Sequence, residues 1–210
     1  MTTTLTLLGA PTGNCFRAAI ALEEAGIDYV PRLIDLRHGE QLDDAFLSLN
    51  PAGKVPVLLQ GDAGAELALT QSNAIVFHAD RIAPGTLAPD NDEAARAIVM
   101  ERYFYFLTDV IAFSHVGFRL RLAGFGPAAA ELGQRVVPAL ARAEQYLADG
   151  PWIAGAAFSM ADIAAYTVCA SYADEIDWDA LPRMRDWFAR SAGRPAVMRG
   201  MQAFWRLAGQ

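Results

Sequence analysis

The feature that most constrains the fold is a change of pattern part-way along the chain. Up to about residue 83, short strand-like runs alternate with helix-like stretches, whereas only helical patterns follow residue 92. Between the two parts, Pro84, Gly85 and Pro89 mark a linker over residues 84–91. The sequence therefore predicts an α/β domain over residues 1–83 and an all-helical domain over residues 92–210.

The first half has the order βαβ, a short helix, then ββα. The predicted strands cover 4–8, 28–36, 55–60 and 66–70, and the predicted helices 14–25, 41–49 and 72–82. Gly26 is placed to end the first helix. Pro31 favours a sheet edge for the second strand, because proline cannot donate to a β-ladder. A turn over 61–64 makes the last two strands antiparallel, and one sheet carrying helices is the economical packing.

The second half is punctuated by glycine and proline into separate helices. These are predicted over 92–123, 127–149, 159–173, 181–192 and 195–207. Pro138 falls inside the second of them, where it is expected to kink the helix.

Composition excludes several classes of protein. The net charge of −7 argues against a nucleic-acid partner, which needs clustered Lys and Arg. We find neither a secretory signal nor a run of about 20 apolar residues, so no membrane association is expected. Two cysteines cannot form a disulfide framework, and we expect a cytoplasmic protein. The apolar fraction of 53% favours a homodimer that buries apolar surface between subunits.

Three candidate catalytic residues lie where the first helix begins: Thr12, Asn14 and Cys15. Free backbone N–H groups and the positive end of the helix dipole meet there and favour an anion such as a thiolate. The Thr12 hydroxyl and the Asn14 amide can donate hydrogen bonds to that thiolate and lower its pKa. An ordinary N-cap is the alternative interpretation of either residue.

Cys15 itself allows two interpretations. A cysteine near a helix N-terminus can be reactive, but Ala18 stands where a redox Cys-x-x-Cys pair needs its second cysteine. Helical spacing also places Cys15 on one apolar face with Ala18 and Leu22, which favours a partly buried neighbour of the site. Cys169, in an apolar helix, is predicted to be a core residue.

A second candidate site lies in the segment Asn-Pro-Ala-Gly-Lys-Val-Pro over residues 50–56. A cis Val55–Pro56 bond would leave the backbone N–H and C=O of Val55 unpaired, so that they could pair with an extended peptide-like ligand. Lys54 offers a cation for a carboxylate. An ordinary loop entering a strand is the alternative.

A third candidate site is the strand-to-helix turn at Gln71 and Ser72. Ser72 can cap the helix or present its hydroxyl and N–H groups to a carboxylate. Three such places on one small α/β unit, each suited to part of an anionic peptide, predict a binding site for that kind of ligand.

Four segments, in order along the chain, resemble the cytosolic glutathione transferase superfamily over about residues 4–205. Residues 50–56 are similar to its Asn-Pro-x-Gly-Lys-Val-Pro segment, and residues 71–75 to its Glu/Gln-Ser-x-Ala-Ile segment. Residues 159–162 resemble the capping box that opens a buried helix of its second domain, and residues 193–197 its closing Arg-Pro-x-Val stretch. The resemblance implies a thioredoxin-like βαβ-α-ββα domain followed by an all-helical C-terminal domain.

Within the superfamily, Thr12 and Asn14 followed by a basic Arg17 look most like the bacterial Nu-class, theta-like members. That resemblance implies that Thr12 and Asn14 contact the glutathione sulfur, and that disulfide reduction is a possible activity. Two positions depart from the pattern: Gly13 replaces the usual proline, and Cys15 stands where glycine is common. Beta-class members use a cysteine near this place, so a beta-like nucleophile at Cys15 is an open alternative.

The resemblance also implies the residues that hold the rest of glutathione. They are Gln41, Lys54, Val55, Pro56, Gln71 and Ser72. Glutathione would lie along Val55, with its γ-glutamyl end at Gln71 and Ser72. Its glycine carboxylate would lie near Lys54 and Gln41.

The helical half is expected to form the wall for the second substrate. Tyr103, Phe106 and Val110 are the candidates for this pocket, although aromatic residues at helical spacing more often serve a core or a subunit interface. The three histidines show no metal-ligand spacing, and no phosphate-binding or dinucleotide pattern is present. Glutathione is therefore expected as co-substrate, with no metal, nucleotide or flavin.

The resulting hypothesis is a glutathione transferase that conjugates small electrophiles, reduces small disulfides with glutathione, or does both. A glutathione-dependent isomerase or dehalogenase is the enzyme alternative, because it would share the ligand site and differ in the helical wall. A non-catalytic binding module on the same fold is the alternative from another class. The intact series of candidate ligand-binding residues argues against this last hypothesis.

Overall fold

A four-stranded mixed sheet organises the first half of the chain. The computed structural model describes residues 4–61 and 67–208. The sheet order is β2-β1-β3-β4, with β1 parallel to β2 and antiparallel to β3, and β3 antiparallel to β4. The elements are β1 Leu5–Gly9, α1 Gly13–Glu24, β2 Val30–Leu33, α2 Asp44–Leu49, β3 Val57–Gln60, β4 Leu67–Leu69 and α3 Ser72–Ile82.

The predicted order of this half is confirmed; β2, β3 and β4 are shorter than predicted, whereas β1 has the predicted length of five residues. Pro31 lies in β2, which is an edge strand as expected. Gly26, with φ of +64°, comes directly after the C-cap of α1, Ala25, in the left-handed conformation that glycine adopts readily. The predicted turn over 61–64 falls largely on residues outside the described ranges. Buried Leu8, Ile34 and Val57 help to form one core layer of this sheet.

The remaining elements are all helical. They are α4 Glu93–Tyr105, α5 Ala112–Leu122, α6 Gly126–Ala141, α7 Ala143–Tyr146, α8 Met160–Cys169, α9 Pro182–Ala192, α10 Pro195–Gln202 and α11 Trp205–Ala208. The long helix predicted over 92–123 is divided by a π-helical turn, Phe106–Ile111, between α4 and α5. Pro138 lies inside α6, which continues to Ala141. No helix in the described ranges is both long and apolar enough to cross a bilayer.

The chain divides into two units, and the division differs from the predicted one at the C-terminus. One unit comprises Met1–Leu87 together with Arg194–Gln210, and the other comprises Ala88–Gly193. The sequence-based division placed the whole of 92–210 in the helical domain. The last two helices instead belong with the sheet.

Charge and close packing explain why the C-terminal segment joins the α/β unit. The Arg194 guanidinium donates to both carboxylate oxygens of Glu24, at 2.7 and 2.6 Å. A Cβ atom on Gly200 would lie 2.7 Å from the backbone nitrogen of Ile20, so only glycine lets α10 lie directly against α1. Neither contact could be read from periodicity, because each joins residues more than 150 positions apart in sequence.

The predicted capping box of the helical unit is present at the start of α8. Ser159 is the N-cap and Asp162 the third residue of the helix. The fully buried carboxylate of Asp162 accepts four hydrogen bonds of 2.8–3.0 Å, from the backbone of Ile153, the backbone and hydroxyl of Ser159, and the indole of Trp187. A buried carboxylate with this many hydrogen bonds fixes the start of the helix and so stabilises the fold.

Candidate functional site

Strand β1 delivers the chain to the start of α1, where Thr12 is the N-cap. Its backbone is extended, and its Oγ1 accepts a hydrogen bond from the backbone N–H of Cys15 at 3.4 Å. The interpretation of Thr12 as an N-cap is therefore confirmed. Thr12 and Asn14 are both half-buried, and the first turn of α1 contains no acidic residue. The positive end of this helix thus meets no carboxylate of its own.

Cys15 lies beneath this helix start, with its side chain completely buried. Its Sγ is 3.1 Å from Oγ1 of Thr12 and accepts the backbone N–H of Ala10 at 3.4 Å. Burial raises the pKa of the Cys15 thiol to about 11, against smaller lowering effects of these hydrogen bonds and of the Arg17 charge. At neutral pH the thiol is therefore protonated, which is the opposite of what a nucleophilic cysteine needs.

Arg17 connects the sulfur site to the start of α3. Its guanidinium is buried, and Nη1 donates to Oδ1 of Asn14 at 2.8 Å and to Oγ of Ser72 at 3.4 Å. A guanidinium can only donate, so it holds the Asn14 amide with its oxygen inward and leaves the Nδ2 donors on the other side. The sequence analysis used Arg17 only as a mark of subclass. The signal for its role was a basic residue three positions after Asn14, in a stretch of the helix, residues 15–22, that is otherwise apolar.

The loop before β3 has the predicted cis Val55–Pro56 bond. The ladder of β3 begins at Val57, so Val55 lies just before it. Buried Asn50 shapes this loop, because its amide nitrogen donates to the carbonyl of Lys54 at 2.6 Å and its Oδ1 accepts from the backbone of Ala52 at 3.1 Å. The side chain of Lys54 is exposed. Asn50 is thus a supporting residue to which the sequence analysis assigned no role.

The structure brings Gln41 next to this loop. Gly53 has φ of +58°, and a Cβ there would lie 3.3 Å from the carbonyl oxygen of Gln41 and 2.9 Å from a methyl group of Leu42. Glycine is therefore required both for the backbone conformation and for the close approach. The side-chain Oε1 of Gln41 is buried, and no hydrogen-bond partner for it lies within the described residues.

Gln71 and Ser72 form the start of α3. Gln71 is the N-cap, and its Oε1 accepts the backbone N–H of Asn73 at 3.2 Å and the hydroxyl of Ser72 at 3.4 Å. Gln71 is exposed and Ser72 is buried. The expectation that Ser72 could cap the helix is therefore wrong: Gln71 is the cap, and Ser72 is the first residue of α3. Two helix starts of the α/β unit, those of α1 and α3, are joined through Arg17.

The three candidates for the second-substrate pocket lie together in the helical unit. Tyr103 is in α4, and Phe106 and Val110 are in the π-helical turn; all three are completely buried. The ring of Phe106 packs edge-on against those of Tyr105 and Tyr146, at centroid distances of 5.4 and 6.5 Å. These side chains contribute to the core of the unit, and their role in a substrate pocket stays a prediction.

Comparison with known proteins agrees with this geometry. The family described as "Glutathione S-transferase, N-terminal domain" matches residues 3–81, and "Glutathione S-transferase, C-terminal domain" matches residues 126–190. Glutathione S-transferase GstA of Escherichia coli O157:H7 is 31% identical over 201 residues, covering 91% of this chain and 94% of the relative. Disulfide-bond oxidoreductase YfcG of E. coli K12 is 30% identical over 214 residues, covering 90% of each chain.

Among solved structures, a glutathione transferase from Burkholderia graminis with two glutathione molecules bound per subunit superimposes with a TM-score of 0.81. The two proteins are 28% identical, and the alignment covers 95% of this chain and 88% of the other. The chain belongs to the glutathione S-transferase family. The predicted resemblance to the superfamily, and the thioredoxin-like and helical halves that it implied, are thereby confirmed.

Proposed function

We propose that this chain binds reduced glutathione on its α/β unit and conjugates it, through its sulfur, to small electrophiles. The observation that carries the proposal is the Arg17 bridge, 2.8 Å to Asn14 and 3.4 Å to Ser72. It holds two helix starts together, and a helix start suits an anionic group. Glutathione has two anionic groups that can match them, the ionised thiol and the α-carboxylate of its γ-glutamyl end.

In this proposal each part of the peptide has its own partner. The sulfur lies by the hydroxyl of Thr12 and the amide of Asn14. The backbone pairs with Val55, which precedes the β3 ladder. The γ-glutamyl carboxylate lies at Gln71 and Ser72. The glycine carboxylate lies near Lys54 and Gln41, and Pro56 holds the Val55 backbone in place through the cis bond.

Catalysis follows from stabilising the thiolate and holding an electrophile beside it. A free thiol with a pKa of about 8.5 is only a few per cent ionised at pH 7, and each unit of lowering raises the thiolate fraction up to about tenfold. Two side-chain donors, the α1 dipole and the nearby Arg17 charge all lower that pKa. The thiolate then forms a carbon–sulfur bond while the leaving group departs with its electron pair.

Reduction of small disulfides by glutathione is a second activity that the same site supports. The bound thiolate attacks one sulfur of the disulfide, forms a mixed disulfide and releases the other sulfur as a thiolate. The thiolate of a second glutathione then attacks the glutathione sulfur of the mixed disulfide, which gives oxidised glutathione and releases the remaining substrate sulfur as a thiolate. The similarity to a protein named as a disulfide-bond oxidoreductase favours this activity, and so does the Nu-like pattern of Thr12 and Asn14. The buried, protonated thiol of Cys15 makes glutathione the nucleophile.

The second substrate distinguishes the remaining enzyme alternatives. An isomerase or dehalogenase would share the glutathione site, so its identity depends on the helical unit, where Tyr103, Phe106 and Val110 stay candidates for the pocket. A screen of halogenated aromatics, small disulfides and cis-enone acids with one enzyme preparation separates three kinds of reaction by their products: conjugation or dehalogenation with release of halide, disulfide reduction, and isomerisation. Turnover of only the last class would replace transfer by isomerisation.

We further propose a cytoplasmic homodimer. Phe118 and Leu122 are exposed at i and i+4 spacing along α5, with Leu122 73% exposed, and Phe125 is exposed just beyond the end of that helix. An apolar stripe of this kind suits an interface with a second copy. Both cysteines are free thiols, which fits a reducing compartment. Sedimentation of the wild-type chain and of Leu122→Glu tests the interface. A monomeric wild type at micromolar concentration would contradict it.

The test of the ligand site is calorimetric titration of the purified chain with reduced and oxidised glutathione side by side. We expect the reduced form to bind, and tight binding of the oxidised form would favour disulfide reduction as the main activity. Gln71→Ala is expected to weaken binding, whereas Arg81→Ala, at an exposed position near the other end of α3, is the control within the same helix. If neither form of glutathione binds, the proposed function is wrong and the fold assignment is unaffected.

A further inference from the structure

We propose that Cys15 is a positioning residue for Thr12. When glutathione is bound, the Cys15 thiol donates a hydrogen bond to the Thr12 hydroxyl oxygen from the buried side, so that the single hydroxyl proton points toward the glutathione sulfur. This inference rests on the proposed function, because it needs an anionic sulfur at the start of α1. It assigns a role to a cysteine that the transfer reaction itself does not use.

The hydrogen-bonding capacity of Thr12 is the first step of the argument. A hydroxyl has one proton and two acceptor positions. The backbone N–H of Cys15 occupies one acceptor position of Oγ1 at 3.4 Å, and Sγ of Cys15 lies 3.1 Å away on the protein side. In the structure the hydroxyl donates to that sulfur. While the single Thr12 proton is donated to Cys15, it cannot be donated to a ligand.

The bond between these two side chains can also run the other way. A protonated thiol is a weak donor and a weak acceptor, and the Cys15 thiol is completely buried. If its S–H donates to Oγ1, both acceptor positions of Thr12 are filled and the hydroxyl proton is released for the ligand. The backbone N–H of Ala10 donates to Sγ at 3.4 Å and holds the sulfur in place during the reversal.

An anionic ligand would drive this reversal. A hydrogen bond to an ionised acceptor is roughly twice as strong as one to a neutral group, so the hydroxyl turns from the neutral Cys15 sulfur to a glutathione thiolate. The Cys15 S–H then rotates toward Oγ1. No proton is transferred between atoms and no electrons move. Only the hydroxyl and thiol hydrogens change direction, about the C–O and C–S bonds.

The chain provides a matched control in Cys169. It is the other cysteine of the sequence, it is completely buried, and burial also raises the pKa of its thiol. It lies in α8, in the helical unit. Removal of Cys169 tests the loss of a buried thiol, whereas removal of Cys15 tests the loss of a buried thiol that contacts Thr12.

The first experiment measures the pKa of bound glutathione from thiolate absorbance in wild type, Cys15→Ala, Cys15→Ser and Cys169→Ala. For Cys15→Ala we expect this pKa to rise by roughly half a unit to one unit, so that thiolate fraction and kcat at pH 6.5 fall about three- to tenfold. KM for glutathione should stay within about twofold of wild type, because a contact with one hydroxyl affects the pKa of the bound thiol more than the affinity for the rest of the peptide. Cys15→Ser restores a donor and should recover most of the loss, and Cys169→Ala should match wild type.

The second experiment observes the thiol directly and does not depend on Cys15 variants that fold. In the Cys169→Ala chain, Cys15 is the single protein thiol, so its S–H infrared band can be followed alone. Glutathione sulfonate carries an anionic group at the sulfur position and no thiol of its own. We expect it to shift the Cys15 band to lower frequency, as a newly donating S–H does. S-methylglutathione is neutral at that position and should leave the band in place.

These outcomes separate failure of the inference from failure of the proposed function. If both analogues bind, the band does not move and Cys15→Ala leaves the bound pKa unchanged, then Cys15 does not position Thr12 and glutathione binding stands. If Cys15→Ser loses nearly all turnover, Cys15 is a nucleophile and the positioning role is wrong. If neither glutathione nor its analogues bind, both proposals are overturned.

Discussion

Helices α1 and α8 begin with the same local motif, but the buried residue in that motif differs in charge. Each opens with a hydroxyl residue as N-cap and places a buried partner three residues later, Thr12 with Cys15 and Ser159 with Asp162. At α8 the partner is a carboxylate. Burial raises its pKa to about 6 in spite of its four hydrogen bonds, so it is mostly ionised at pH 7. At α1 the partner is a neutral thiol.

The difference shows how one local motif can be used for stability or for binding. The positive end of α8 is filled by the protein's own anion, Asp162, whose oxygens accept four hydrogen bonds. The positive end of α1 has no acidic residue in its first turn, Thr12 and Asn14 stay half-buried, and the Thr12 hydroxyl donates only to the neutral sulfur of Cys15. We infer that the thiolate of glutathione takes at α1 the place that Asp162 takes at α8.

The largest effect is expected from removing the anion at α8. Asp162→Ala leaves four buried donors without an acceptor, and each buried unsatisfied group costs about 1–3 kcal/mol. We expect the free energy of unfolding to fall by about 4 kcal/mol, measured by denaturant titration. Asp174→Ala, at an exposed position, should change it by less than about 0.5 kcal/mol. A loss near 1 kcal/mol for Asp162→Ala would show that the hydrogen bonds of Asp162 stabilise the protein no more than the N-cap of α1 does.

The next effect is expected at Thr12, and in catalysis more than in stability. Thr12→Ala removes a donor to the thiolate, so kcat/KM should fall about 10²- to 10³-fold, as for loss of an oxyanion-hole donor. Because the pKa of bound glutathione rises and the thiolate is the reacting form, the acid limb of the kcat profile should move to higher pH. The N-cap loss should lower the free energy of unfolding by only about 1 kcal/mol.

Thr12→Ser keeps the hydroxyl and is the control for that experiment. It should retain most of the turnover and the wild-type pH profile. Equal losses of turnover in the serine and alanine variants would mean that the methyl group, rather than the proton donor, matters at this position. The start of α1 would then resemble α8 as a structural cap.

A smaller loss is expected for Asn14→Asp, which isolates the second donor. Aspartate keeps an oxygen for the Arg17 guanidinium, now 2.8 Å from Asn14 Oδ1, so the buried cation keeps its partner. It replaces the amide donors with a second acceptor and brings a negative charge toward the thiolate. Turnover should fall about 10- to 100-fold, the worth of one hydrogen bond to a charged group, while thermal unfolding stays near wild type. Unchanged turnover would remove Asn14 from the sulfur site.

Much of this organisation could be predicted from residues close together in sequence. The two halves follow from periodicity, and the N-cap at Thr12, the cis Val55–Pro56 bond and the capping box each lie within a few residues. What the sequence analysis missed joins distant residues. Arg17 reaches Ser72 across 55 positions, and Arg194 reaches Glu24 across 170. Neither side chain has a local partner pattern that reveals its target, because burial of a charge depends on the packed neighbours.

The burial of Cys15 could be predicted only in part, because it too depends on residues that are distant in sequence. Helical spacing placed it on the apolar face, but complete burial and the direction of its pKa shift depend on the surrounding packing. The roles of the pocket residues Tyr103, Phe106 and Val110 stay predictions, because their burial by itself does not separate a core from a pocket wall. Functional side chains at a helix start are easier to predict than apolar ones in a helix interior.

The smallest effect, and the most direct test of the comparison, is expected from Ser159→Ala. This substitution removes the N-cap hydroxyl of α8 and one of the four donors to Asp162, at 3.0 Å, while the backbone N–H of Ser159 still donates at 2.9 Å. The free energy of unfolding should fall by about 1 kcal/mol, or roughly 2–4 °C in Tm for a chain of this size. Thr12→Ala should cost about the same stability. The two matched caps must then differ in turnover with glutathione: Ser159→Ala should stay within about twofold of wild type. If both variants lose turnover alike, the activity follows stability, and the start of α1 has no special role in holding the sulfur.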